Sequence, residues 1–258
     1  MLIMKNFEFR GRCVWLTGAS SGIGESLALE MARRGARLAL TARRAEVLES
    51  VVARIRASGG EAWSFPGDVT ELEQVKTLVQ RIETAVGAIE LAVPNAGTHI
   101  FTKPEEFNSR EYLDLMNINF GGMLHCIEAV LPTMLARRRG YIAPVASLAG
   151  IRGLPRAAAY GASKAAMQHF LESIRFHLRR YQIVITVINP GFVKTPLTDK
   201  NDFKMPFLVS PEESARIVCD GLERCKREIS YPWQMNILVK FGRILPAALY
   251  ERIVDRLW

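Results

Sequence analysis

The strongest constraint on this chain is a rhythm in its apolar residues. Six short runs rich in β-branched residues, at 13–17, 37–41, 62–65, 89–93, 141–145 and 183–189, alternate with segments whose apolar positions recur at helical spacing. Strands separated by helices cannot pair through tight hairpins, so each connection is a crossover and the sheet is parallel, with helices on both faces. The predicted fold is α/β, a doubly wound parallel sheet. Two helices are read with ease: 158–179, and 211–227, where Pro211 follows Ser210 and precedes Glu212 and Glu213. The stretch 111–136 is helix-like but carries Asn119 and then Gly121 and Gly122, which predicts an irregular helix. There is no internal repeat, low-complexity tract or linker, so 1–258 is expected to be one domain. Residues 195–210 mix Pro, Asp, Asn and Lys with large apolar side chains and read as a loop covering a cleft.

Composition narrows the class. Cys13, Cys126, Cys219 and Cys225 lack paired spacing, so reduced structural thiols are expected, with neither a disulfide framework nor a metal site. Residues 1–12 are too polar for a signal-peptide core, and a soluble, cytoplasmic protein is expected. The formal charge of +8 could attract nucleic acid, an anionic membrane or a phosphorylated ligand. The basic residues fall in short groups, however, not in one stripe interleaved with aromatics. Arg33-Arg34, Arg137 to Arg139 and Arg179-Arg180 sit at expected helix C-termini, where the macrodipole favours cations. Nucleic acid is therefore not an expected partner.

After the first strand comes Gly18-Ala19-Ser20-Ser21-Gly22-Ile23-Gly24, then a helix rich in Ala and Leu. Glycines there let the backbone approach a pyrophosphate, and the free N–H groups of the helix N-terminus favour its charge. No Gly-Lys-Ser/Thr ending follows, which disfavours a phosphoryl-transfer loop. The second strand ends in Thr41-Ala42-Arg43-Arg44, where an NAD-selective site carries a carboxylate for the ribose 2′-hydroxyl. Arginine instead fits a 2′-phosphate, through charge-assisted hydrogen bonds of about 1.5–3 kcal/mol each. NADP(H) is the predicted cofactor. The competing reading is that both arginines merely open a solvated helix.

Tyr160 and Lys164 stand four residues apart on one helix and project to one face. A fixed positive charge beside a phenol with a pKa of about 10 favours the phenolate, as general acid/base work near neutral pH requires. Ser147 follows the run 141–145 at the carboxyl edge of the sheet, where its hydroxyl could meet a reacting oxygen or cap a turn. A buried Asn119 would kink its helix or hold a water.

Together these residues resemble the short-chain dehydrogenase/reductase family, from Gly11 to Thr198. The resemblance implies a single-domain Rossmann-type fold and a catalytic tetrad of Asn119, Ser147, Tyr160 and Lys164. It also implies cofactor contacts at Gly18, Ser20, Ser21, Gly22, Ile23 and Gly24, at Asp68 and Val69 beside the adenine, and at Asn95, Ala96 and Gly97. Pro190, Gly191, Val193 and Thr195 would lie by the nicotinamide carboxamide. Hydride would pass between nicotinamide C4 and a substrate carbon. Tyr160 would exchange the oxygen's proton, Ser147 orient that oxygen, Lys164 bind ribose and lower the tyrosine pKa, and Asn119 hold a relay water.

Two departures from the family pattern stand out. Pro94 precedes Asn95-Ala96-Gly97 in place of a frequent asparagine, and the ending lacks the frequent Val-Asp-Gly-Gly. Instead 233–258 is an apolar, basic extension with Leu238, Phe241, Leu245, Leu249, Ile253 and Leu257 at near-helical intervals. A helix packed on the body is expected there. A membrane-surface face carrying Lys240, Arg243, Arg252 and Arg256 is the lesser reading. A homodimer or higher homo-oligomer is compatible with the sequence.

The expected substrate wall is apolar: His99, Phe101, Leu148, Ile151, Leu154, Phe192, Leu197, Phe203, Met205, Phe207 and Trp233, with Ser147 and Tyr160 at its floor. A small apolar or amphipathic alcohol or ketone is predicted, with a 3-oxoacyl thioester as the nearest alternative. The rival from another class is an NADP(H) sensor without turnover, which would have no use for Ser147, Tyr160 and Lys164 together.

Overall fold

The computed structural model describes residues 4–257, the side chains of Lys200 and Leu257 excepted; residues 1–3 and Trp258, within the expected 1–258 unit, lie outside the described residues. Six strands form a parallel sheet: β1 (Cys13–Thr17), β2 (Arg37–Thr41), β3 (Glu61–Ser64), β4 (Leu91–Val93), β5 (Gly140–Ile142) and β6 (Ile183–Ile185), in the order β3-β2-β1-β4-β5-β6. From β1 the chain winds outward to β3, then returns to the other side of β1. Where the winding reverses, between β1 and β4, a crevice opens beyond the carboxyl ends of the strands.

Alternate side chains feed two cores, as strand geometry requires. Val14 and Leu16 of β1 pack with α1 (Gly22–Arg33), α2 (Ala45–Ala57) and a later helix, α7 (Pro211–Glu223). Cys13 and Trp15 face the other way, towards α3 (Leu72–Ala85), α5 (Gly122–Ala136) and α6 (Ala158–Leu178). Each fully buried Leu, Ile or Met contributes roughly 1.5–3 kcal/mol relative to exposure. The α/β fold read from the alternation is the observed one.

The differences have local causes. The run 141–145 pairs as a strand only to Ile142, because Pro144 has no N–H to give the ladder. Pairing resumes in the bridge of Val145 with Ile188 and the hydrogen bond from Ala146 N to Ile188 O at 2.8 Å. The run 183–189 is two strands, β6 and β7 (Val187–Pro190), with β7 pairing to β8 (Glu228–Tyr231). Thr186 N still reaches Ile142 O, at 3.1 Å, so the chain keeps its line through the break.

The stretch 111–136 is α4 (Ser109–Met116) and α5, joined by a π-helical turn at Asn117–Gly121 in which Gly122 N–H meets the Asn117 carbonyl. The whole of Ser109–Ala136 is long and apolar enough to cross a membrane, yet Met123, Cys126, Ile127, Val130 and Met134 are buried in the second core. The predicted helix 211–227 ends at Glu223, and Cys225 turns the chain with φ 46°.

The C-terminal extension is two helices, α8 (Trp233–Ile244) and α9 (Ala247–Leu257). Leu245 is extended, as a residue before proline tends to be, so Pro246 breaks the expected single run. The pair is fastened to the body by Met235, close against Gly191, and by Tyr250, whose hydroxyl donates to Gly153 O at 2.6 Å. Trp233, Ile237, Leu238, Phe241 and Ile244 remain exposed, Ile244 at 76 %.

Candidate active site

A cleft of about 520 Å³ runs along the carboxyl edge of the sheet. Its lining includes Gly18, Ser20 to Gly24, Arg43, Arg44, Asp68, Val69, Asn95 to Gly97, Ser147, Tyr160, Lys164, Pro190, Gly191, Val193 and Thr195. Every cofactor residue expected from the sequence therefore borders one space.

Two glycines show why the first turn is built as it is. A Cβ at Gly24 would lie 2.1 Å from Gly18 O, and Gly18 adopts φ +65° with Ala96 pressed against it. The turn is held from across the crevice: Asn95 Nδ2 donates to Thr17 O at 3.0 Å and Gly18 O at 3.2 Å. In return, Thr17 Oγ1 accepts from Asn95 N at 3.0 Å and Ala96 N at 3.1 Å. Ser21, at the start of α1, makes no side-chain cap, so the first-turn N–H groups of Gly22, Ile23 and Gly24 stay available at the cleft wall. This cradle suits a pyrophosphate.

At the far end, Arg44 Nη2 approaches Ser20 Oγ at 3.5 Å, and Arg43 Nη1 lies 4.0 Å from Asp68 Oδ2 with its side chain 73 % exposed. Both arginines do precede α2, Arg44 as its N-cap, and both also border the cleft. Asp68 Oδ1 is engaged by Thr70 N and Oγ1, each at 2.9 Å.

Tyr160, Ser147 and Lys164 meet at the other end. Ser147 is buried and caps a short turn, its Oγ accepting from Ala149 N at 3.1 Å. Burial pushes the Tyr160 phenol up, and the hydrogen bond with Ser147 pulls against that rise. Burial also holds the Lys164 ammonium down, to about 8. Its Nζ donates to Val145 O at 2.9 Å and stands 5.7 Å from the centroid of the Tyr160 ring. In this arrangement burial outweighs the Ser147 hydrogen bond, and the phenol stays above its ordinary value.

Asn119 is buried in the π-helical turn. Its Oδ1 accepts from Thr98 N at 2.8 Å, while Nδ2 donates to Thr98 O and to Ser163 Oγ, both at 3.0 Å. Both amide protons are spent, so a relay water would meet only the second lone pair of Oδ1.

The substrate wall departs further from expectation. His99 sits edge-on to Tyr160 with centroids 4.9 Å apart, Phe101 follows at 4.8 Å from His99, and Phe192 pairs with Phe203 at 5.8 Å. Leu197 lines the cleft. Leu148, in contrast, is buried in the protein, and Phe207 and Trp233 face solvent. Arg156 stacks over Phe101 at 4.6 Å and pairs with Asp202, joining three loops in a way nothing in the sequence signalled. Thr17, Thr98, Ser163 and Gln168 also escaped the sequence reading. Of these only Thr17, a polar residue ending an apolar strand before the glycine turn, had a visible signal.

The cleft at the switch point of the sheet puts the molecule among the doubly wound α/β proteins that hold a ligand beyond the carboxyl ends of their strands. More narrowly, the chain belongs to the short chain dehydrogenase family, which it matches over residues 12–205. It is 36 % identical over 250 residues to an uncharacterized oxidoreductase of Myxococcus xanthus, covering 97 % of this chain and 99 % of that one. It is 34 % identical to 11-beta-hydroxysteroid dehydrogenase-like 4A of Arabidopsis thaliana, over 95 % of this chain and 84 % of that one. Among solved structures, a short chain dehydrogenase/reductase from Burkholderia phymatum in complex with NAD shares the fold, with TM-score 0.84, 24 % identity, and coverage of 91 % of this chain and 93 % of that one.

Proposed function

We propose that this oxidoreductase uses NADP(H) to interconvert a hydrophobic secondary alcohol with its ketone or aldehyde. The observation that carries the reading is one cleft with Arg43, Arg44 and Ser20 at one end and Ser147, Tyr160 and Lys164 at the other. The cofactor would supply the hydride, delivered from nicotinamide C4 to the substrate carbon. Gly18 to Gly24 and the start of α1 would hold its pyrophosphate, with Asp68 and Val69 by the adenine. Asn95, Ala96, Gly97, Pro190, Gly191, Val193 and Thr195 would border the nicotinamide half.

In this reading Ser147 Oγ orients the substrate oxygen and Tyr160 gives it the phenolic proton. A phenol kept protonated by burial is suited to donation, which favours reduction at neutral pH. Lys164 binds ribose and, once its ammonium turns to that group, eases replacement of the proton. Asn119 holds Thr98 and the strand edge in register. His99 and Phe192 contact the substrate in an apolar, aromatic setting, and the hydroxysteroid name of the Arabidopsis relative supports the same class. A 3-oxoacyl thioester is the alternative substrate.

A peripheral role follows for the C-terminal pair. Trp233, Ile237, Phe241 and Ile244 form an exposed stripe, and Arg243, Arg252 and Arg256 have no ion pair among the described residues. The apolar stripe of α8, with Arg243 at its end, is the proposed contact for an anionic lipid surface, and a homo-oligomer formed through the same stripe is the alternative.

Incubating the protein with NADPH or NADH and a panel of apolar ketones, with the matching alcohols and NADP, tests the central reading. Turnover of an apolar ketone with NADPH is the expected result. Cofactor binding without any turnover across the panel would leave a sensor in its place.

A further inference from the structure

The helix that carries Tyr160 and Lys164 continues the same stripe to Gln168, one further turn along α6. Gln168 Nε2 donates to the main-chain carbonyl of Ser147 at 2.7 Å, and its second proton goes to Asn189 Oδ1 at 2.9 Å. Asn189 is buried, and its Nδ2 faces Glu228 Oε1 and Ser230 Oγ, both at 3.3 Å. Glu228 is tied in turn to Lys240 of α8, at 2.9 Å. One chain of hydrogen bonds thus runs from α8 through β8, β7 and α6 to the backbone of Ser147.

The direction of this chain is fixed at both ends. A main-chain carbonyl can only accept, so Gln168 must present its NH2 group to Ser147. A carboxylate can only accept, so Asn189 must turn its NH2 group to Glu228 and leave Oδ1 for Gln168. The carboxyl of Glu228 stays below its ordinary value despite burial, because Ser230, Lys240 and Asn189 all hydrogen-bond to it. Neither amide can flip without putting two acceptors, or two donors, face to face.

We propose that Gln168 is a positioning residue, which sets the separation of Ser147 from Tyr160 by tying the serine main chain to the tyrosine's own helix. Ser147 lies one residue past the last ladder bond, Ala146 N to Ile188 O at 2.8 Å, and its carbonyl also accepts from Gly150 N at 3.1 Å. The Gln168 bond adds a second hold on that carbonyl, from the helix that carries the phenol. Asn189 and Glu228 fix the orientation of the Gln168 amide, and Lys240 carries the same constraint out to the C-terminal helices. The idea rests on the proposed role of Tyr160 for its catalytic meaning, but its geometry can be read without turnover.

The test is a tyrosinate absorbance titration of the cofactor-free protein, taken as the difference between each chain and its Tyr160→Phe counterpart. The charged or titratable groups facing the ring are Lys164 from α6 itself and His99 from the loop after β4, and neither is altered. Gln168→Met keeps the length of the side chain and removes both donors. Gln168→Glu keeps the shape and sets a carboxylate against two acceptors. If the Ser147 hydrogen bond is held by Gln168, the Tyr160 transition moves to higher pH in both, by about one unit, and further in Gln168→Glu. NADPH affinity should change little in Gln168→Met, whose reach to the cofactor cleft is indirect, while the melting temperature falls because Ser147 O and Asn189 Oδ1 lose a donor. A Tyr160 transition unmoved in folded Gln168→Met overturns the proposal. Should Gln168→Glu fail to fold, Gln168→Met still decides. Turnover retained by Tyr160→Phe would sink the catalytic reading while leaving this titration intact.

Discussion

Lys164 Nζ lies 5.7 Å from the centroid of the Tyr160 ring and donates to the Val145 carbonyl at 2.9 Å. The ammonium is thus parked on the end of the sheet, close to the phenol but bonded elsewhere. Helical spacing delivered the two side chains to one face, and burial then shifted them in opposite directions: the phenol up, the ammonium down to about 8. Both shifts favour the uncharged forms, so the site without cofactor resists charge until something polar enters the cleft.

A stability measurement follows from this. The Lys164 pKa is 10.5 in the unfolded chain and about 8 in the fold, so between those values the unfolded chain binds a proton that the folded one does not. Stability therefore rises with pH across that window, and the full penalty is present below it. Replacing Lys164 with Met should stabilise the cofactor-free protein at pH 7 by up to about 3 kcal/mol, with the gain shrinking towards pH 10.5. Urea unfolding of both proteins at pH 7 and pH 10 checks it; a difference independent of pH would refute the shift.

Arg43 is mostly exposed and Arg44 leans towards Ser20, so removing Arg43 should leave the fold intact. The expected effect of Arg43→Ala is about a ten- to hundredfold loss of NADPH affinity with NADH affinity little changed. Fluorescence titration with both cofactors reads the ratio. An unchanged ratio would mean that Arg43 only borders a solvated helix.

A methyl group at Gly24 would be forced to 2.1 Å from Gly18 O. Gly24→Ala should therefore displace the glycine turn and abolish binding of either cofactor, a loss of more than about a hundredfold, and lower thermal stability as well. Isothermal titration and a melting curve on the same sample distinguish a displaced turn from an unfolded chain. Near-normal affinity would show that the turn yields more readily than its packing implies.

The C-terminal stripe should bind vesicles containing anionic lipid at low salt, and release them near an ionic strength of about 0.15 M, where the screening length is about 8 Å. Phe241→Asp should abolish binding without touching the cleft. Co-sedimentation with anionic and neutral vesicles is sufficient. Absence of binding at low salt would remove the lipid contact from the account.

Sequence made the sheet and both ends of the cleft legible because each rests on local chemistry. The glycine turn needs glycines wherever it occurs, and Tyr160 and Lys164 share a face by spacing alone. What escaped was set by long-range contacts. Pro144 cut β5 short, yet its ladder resumed through Ile188, a residue 44 positions away with no local mark. Gly121 and Gly122 hinted at an irregular helix, but the π-helical turn that buries Asn119 depends on its bonds to Thr98 and Ser163. Leu148 was expected in the apolar wall, and the short turn capped by Ser147 carries it into the interior. The two C-terminal helices differ from the expected single run because of Pro246, which was visible in the sequence and went unused.

Tyr160→Phe, assayed with NADPH and whichever ketone the panel reveals, tests the central claim most directly. The substitution removes one oxygen from the end of the cleft and leaves Arg43, Arg44 and the glycine turn in place. The account predicts that NADPH still binds within a few-fold of wild type while kcat falls by roughly 10²–10⁴-fold, the range for a lost general acid. Turnover close to wild type in a protein that binds NADPH normally would contradict it.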